Sequence, residues 1–132
     1  LVVSLGALVS VGPVLAGNWN TTENLNVDEI SKFPGGVKFK ELENVSAKIS
    51  GLITEAEWFK WNEKDILDVI EISLEVFGPD RLMFGTDYPV VLVADELSSW
   101  VTTFKKSISK LSADEIKKIT VNNCLQFYKI EL

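Results

Sequence analysis

The chain has 132 residues, 46% of them hydrophobic and 24% charged, and a formal net charge of −6. That length and balance suit one globular domain, and the acidic surplus excludes a general nucleic-acid binder, which needs a Lys/Arg surface for phosphates. A single cysteine excludes an internal disulfide, and the absence of histidine excludes a Ser-His-Asp triad, a Cys-His dyad and a His-ligated metal site within the chain.

Leu1 to Ala16 is apolar apart from two serines, two glycines and a proline. It is shorter than the about 20 residues a membrane span needs. It reads as a buried strand plus loop, in a cytoplasmic protein. The alternative is a signal-peptide h-region over residues 1–16, which would make the protein secreted. The stretches 17–22 and 33–36 read as loops, and Asn26 with Glu29 marks a short helix over Val27 to Phe33. Lys38 to Glu43 reads as the tail of a helix. Asn44 to Ser50 alternates as a strand does and ends at Gly51. Leu52 to Trp61 is amphipathic. Asn62 is positioned to cap a helix over Glu63 to Phe77, with Ile66, Ile70, Leu74 and Phe77 as its apolar stripe. Gly78 stands where a left-handed C-terminal residue belongs, and Pro79 stops the helix.

Leu82 to Phe84 is a short apolar run of the kind that forms a fully buried parallel strand. The Gly85-Thr-Asp-Tyr-Pro89 turn follows. A helix is predicted from Asp95 to Lys110, with Leu97, Trp100, Val101, Phe104 and Ile108 on one face. Ser112 and Glu115 form a capping box for a last helix reaching Tyr128. Helices between strands imply parallel pairing with right-handed crossovers.

Asp87 lies just beyond the C-terminal end of the Leu82–Phe84 strand, where α/β folds place their ligand crevices. A carboxylate there can act as a general base or as a ligand to a cation. It can equally be a turn aspartate bonded to its own backbone. Asp80 and Arg81 read as a turn with a local ion pair, Asn123 as a structural hydrogen-bonder and Cys124 as a small buried residue. Lys48 reads as facing a helix interface.

Three pieces together resemble the C-terminal part of the amidohydrolase-related family, whose members include sugar-lactone hydrolases. They are Asn44-Val-Ser-Ala-Lys-Ile-Ser-Gly-Leu52, Phe77-Gly-Pro-Asp-Arg-Leu-Met-Phe-Gly-Thr-Asp-Tyr-Pro89 and Asn123-Cys-Leu-Gln-Phe-Tyr128. The resemblance implies an α/β fold, a partial TIM-like (β/α) barrel carrying the last two strand–helix units over residues 38–132. Residues 1–37 are left as an unmatched N-terminal segment. A complete barrel takes about 250 residues, so the chain is expected to be a C-terminal fragment.

The implied reaction is hydrolysis of a lactone, ester or amide bond in a small polar or sugar-like substrate. Asp87 matches the family's catalytic aspartate, which takes a proton from water and can also touch a divalent metal such as zinc. Ser50, Gly51, Trp58 and Tyr88 are the expected substrate contacts. The family's metal-binding histidines have no counterpart here, so no metal is expected to be held by this chain alone. The rival expectations are a non-catalytic remnant that associates with itself through open sheet edges, and a small secreted binding module.

Overall fold

The computed structural model describes residues 2–4, 32–33 and 37–131. Its elements are the strands β1 (Val2–Ser4), β2 (Lys32–Phe33), β3 (Val37–Lys38), β4 (Ser46–Ile49) and β5 (Leu82–Phe84). The helices are α1 (Leu52–Glu55), α2 (Glu63–Phe77), α3 (Leu97–Ser107), α4 (Ala113–Lys117) and α5 (Asn123–Tyr128). One parallel sheet runs in the order β1-β4-β5, with Ala47 opposite Leu82 and Lys48 opposite Met83. β2 and β3 pair antiparallel, so Phe33, read as the start of a loop, is a strand residue, and the rest of that loop, residues 34–36, lies outside the described residues. β2 also replaces the end of the helix expected over Val27 to Phe33, whose remaining residues lie outside the described ones. The apolar start forms a strand at Val2–Ser4, and the rest of it lies outside the described residues too.

β4 and β5 alternate in the manner of strands with two different faces. Ala47, Ile49 and Leu82 are fully buried against the helices, together with Ile66, Val69 and Ile70 of α2 and Trp100 and Phe104 of α3. Phe84 stacks on Phe104 with ring centroids 4.0 Å apart. Lys48, Ser50, Met83 and Gly85 point to the opposite face, where a cleft opens.

Helix ends follow sequence chemistry closely. Asn62 caps α2, its side chain accepting from the Lys64 N–H at 2.9 Å. Gly78 ends that helix with φ +66° and ψ 170°, so the positive φ is as expected but the backbone is not left-handed helical. Ser112 and Glu115 form the reciprocal capping box at α4. A π-helical turn over Lys118–Asn122 joins α4 to α5, so the predicted last helix is continuous but locally widened.

Other expectations change. Ile66, Ile70 and Phe77 of α2 are buried as expected, but the buried face also takes in Val69, Ser73 and Val76 and leaves Leu74 half-buried. Lys38 to Glu43 yields a 3-10 turn at Phe39–Glu41 rather than a helix tail. Only Leu52–Glu55 of the amphipathic stretch is helical. Among the described residues, no helix is long and apolar enough to cross a membrane.

Arg81 overturns the expected ion pair. Its guanidinium lies over the Phe77 ring and donates to five main-chain carbonyls, those of Phe39, Leu42, Val45, Val76 and Phe77. Asp80 pairs instead with Lys118 at 2.8 Å. The planar fork of Arg suits this task because it spreads five donors over several acceptors at once.

Candidate active site

β5 ends at Phe84, and the chain turns at once. Gly85 donates its N–H to the Ile49 carbonyl at 3.0 Å, which extends the pairing by one rung. Its own carbonyl accepts from the Trp100 indole at 3.0 Å. A Cβ at Gly85 would stand 2.8 Å from the Ser50 Cβ and 2.9 Å from its Oγ. The glycine is therefore required by close approach between β4 and β5 rather than by a turn or a ligand.

Two residues on, Asp87 adopts φ +57°, the left-handed region that aspartate tolerates better than most residues. Its carbonyl accepts from Val91 N–H at 2.8 Å, and the Tyr88–Pro89 peptide is cis. Its carboxylate Oδ2 accepts from the Thr54 hydroxyl at 3.1 Å. Thr54 comes from α1, directly after β4, and its hydroxyl also meets the Gly51 carbonyl at 2.9 Å. The loops after β4 and β5 thus hold the carboxylate from two sides. Phe59 and Lys129 also have a positive φ, but of the three only Asp87 lines the cleft, and strain at a polar residue in a crevice is a common mark of a functional position.

The cleft in front of Asp87 has a volume of about 490 Å³. Ser50, Lys48 and Tyr88 share it with Asp87, and Cys124 and Tyr128 reach it from α5. Ser50 is buried and Tyr88 is largely exposed. Two expected contacts lie elsewhere. Trp58 is exposed and ties its indole to the Thr54 carbonyl at 2.9 Å, and Gly51 caps α1 with φ +76°. Neither lines this cleft. Trp61 is bonded to Asp95 at 3.1 Å.

Three placements correct the sequence reading. Lys48 faces the cleft, not a helix interface, because it shares the alternation of Ser50. Cys124 is half-buried and lines the cleft rather than filling the core. Thr54 escaped notice altogether, because nothing in the sequence signals a hydroxyl aimed at a carboxylate 33 residues away. Asn123 holds the structural role expected of it. Its amide donates to the carbonyls of Pro79 and Leu82, both at 2.7 Å, and so pins α5 to β5.

Residues 37–130 match the family model described as amidohydrolase. The chain belongs to the amidohydrolase family. It is 42% identical over 81 residues to the L-fucono-1,5-lactonase of Burkholderia multivorans (strain ATCC 17616 / 249), a stretch covering 56% of this chain and 27% of that protein. It is 30% identical over 110 residues to the uncharacterized protein y4mH of Sinorhizobium fredii (strain NBRC 101917 / NGR234), covering 80% of this chain and 36% of that one.

Crystal structures of a Burkholderia multivorans amidohydrolase are similar as well. The zinc-bound form superposes with a TM-score of 0.77 at 26% identity, over 99% of this chain and 44% of that one. The form with bound HEPES gives 0.69 at 29% identity, over 80% and 36%. This amidohydrolase chain thus spans 27% and 36% of the two curated relatives it matches.

A zinc centre needs three or four ligands of the His, Cys or carboxylate type. Among the described residues no three such groups come together, and the sequence has no histidine. The donors among the described residues do not by themselves make a metal site.

Proposed function

We propose that this chain forms the C-terminal part of a (β/α)-barrel hydrolase that opens a lactone of a small sugar-like acid, with Asp87 as its base and proton shuttle. The observation that carries this reading is the placement of Asp87. It sits just beyond the C-terminal end of a buried parallel strand, in a left-handed backbone, with one carboxylate oxygen held by Thr54 and the cleft before it. The family match, and the likeness to a lactonase, support the reaction class.

In this reading residues 38–132 supply the last two strand–helix units of the barrel, and residues 1–37 form a separate leading segment joined to the same sheet through β1. Water adds to the acyl carbon while Asp87 takes its proton. The ring carbon–oxygen bond then breaks, and the leaving oxygen collects that proton from Asp87 to give a hydroxy acid. A positioned acid–base group of this kind contributes about 10²–10⁴-fold to rate. Ser50 and Tyr88 line the space where the acyl group would lie, and Gly51 and Trp58 shape the loop that bears Thr54.

A chimera provides the test. The 81-residue segment of the Burkholderia multivorans lactonase that matches this chain is replaced by the corresponding residues of this one. The reading expects the chimera to hydrolyse L-fucono-1,5-lactone faster than buffer alone. A folded chimera with no turnover would contradict it. That no three metal donors meet among the described residues favours a second reading, a non-catalytic chain that associates with itself through the outer edges of β1 and β5.

A further inference from the structure

Lys48 occupies the cleft beside Asp87, and the proton transfers assigned to Asp87 give it no task. Its Cα is in register with Met83. Its Cε nevertheless lies 3.6 Å from the position a Cβ would take on Gly85, two residues further along β5. The side chain has therefore climbed toward the C-terminal end of the sheet, by about two strand residues at roughly 3.3 Å each. Its Cε thus reaches the layer of Gly85, in the cleft that Asp87 also lines.

No carboxylate among the described residues pairs with it. Glu57, Asp68, Glu63 and Asp80 pair with Lys60, Lys64, Lys106 and Lys118, and Asp87 takes its hydrogen bond from Thr54. The ammonium of a half-buried lysine that lines a cleft, with no carboxylate in ion-pair contact, is a receptor for negative oxygen. The net charge of −6 makes this local feature stand out, since the protein's overall field repels anions.

We propose that Lys48 is the carboxylate receptor of the cleft, binding the carboxyl oxygen that becomes negative as an acyl group is opened and remains negative in the product acid. The part of this inference concerning reaction rests on the proposed lactone hydrolysis. The receptor itself is a binding site that exists with or without turnover. An ammonium aimed at the oxygen where charge develops would stabilise the adduct more than the neutral substrate.

The test uses the 132-residue chain titrated with gluconate and, separately, with sorbitol, its neutral counterpart, followed by NMR shifts. Saturable gluconate binding is expected, about tenfold or more tighter than sorbitol, as one charge-assisted hydrogen bond provides. Lys48→Met and Lys48→Gln should abolish the preference, and Lys48→Arg should keep it, with the fold checked by circular dichroism. No saturable gluconate binding, equal affinity for sorbitol, or an unchanged preference in Lys48→Met would each overturn the proposal. A Lys48-dependent gluconate site with an inactive chimera would overturn only the proposed reaction. An active chimera whose donor chain binds gluconate without need of Lys48 would overturn only the receptor.

Discussion

At Gly85 the Ser50 side chain fills the space a methyl group would need, with distances of 2.8 and 2.9 Å to a Cβ built there. Gly85→Ala is therefore expected to cost about 1–3 kcal/mol, the usual penalty for overpacking a fitted contact, read from urea unfolding. Adding Ser50→Gly should recover part of that loss, because it removes both clashing atoms; no recovery would place the strain elsewhere. Arg81 makes a second residue-level prediction. Arg81→Leu removes a donor from five carbonyls, of which those of Phe39 and Leu42 keep a backbone N–H partner, and is expected to cost about 2–4 kcal/mol, while Arg81→Lys restores little because one ammonium cannot span the same acceptors.

The two residues differ sharply in how readable they were. Asp87 and its surroundings stood out because an apolar run, a glycine and a proline are local punctuation. The partners of Arg81 are backbone carbonyls up to 42 residues away, and a carbonyl carries no sequence signal. Lys48 was misplaced for a related reason: alternation gives two faces, but only the position of neighbouring strands says which one meets the cleft.

Elements repeat the pattern of legible ends and less legible faces. The caps at Asn62 and Ser112 were visible as residue types followed by helical periodicity, and both are present. Asn62→Ala is expected to lower stability by about 1 kcal/mol through the lost bond to Lys64 N–H. At α4 the Ser112 hydroxyl, then its main-chain N–H, hold the Glu115 carboxyl below the usual glutamate value. A carboxyl depressed in this way supports the folded state above its unfolded pKa and ceases to as pH falls through the lowered, folded one. The Glu115 side-chain carbon should therefore titrate below the ordinary glutamate midpoint by NMR, and Ser112→Ala should move it back up. An unchanged midpoint in that variant would show that the box does not set it. The face of α2 was less legible. Val69, Ser73 and Val76 are buried where Leu74 was expected, because burial follows the position of β4 and α3 and not hydrophobicity alone.

At the scale of the whole molecule, the described sheet has β4 at its centre and β1 and β5 at its edges. Parallel sheets gain stability when both faces and edges are covered, and this chain matches only part of the length of its relatives. That arrangement explains why the family was legible while the chemistry was not. The strand–helix punctuation survives within residues 37–130, whereas a metal site needs three or four donors together, and no three of them meet among the described residues. The role proposed for Asp87 is to move the proton. The most direct measurement is kcat/KM for lactone opening by the chimera and by its Asp87→Asn form, at matched circular dichroism. A fall of about 10²–10⁴-fold is expected; an unchanged rate would contradict that role for Asp87.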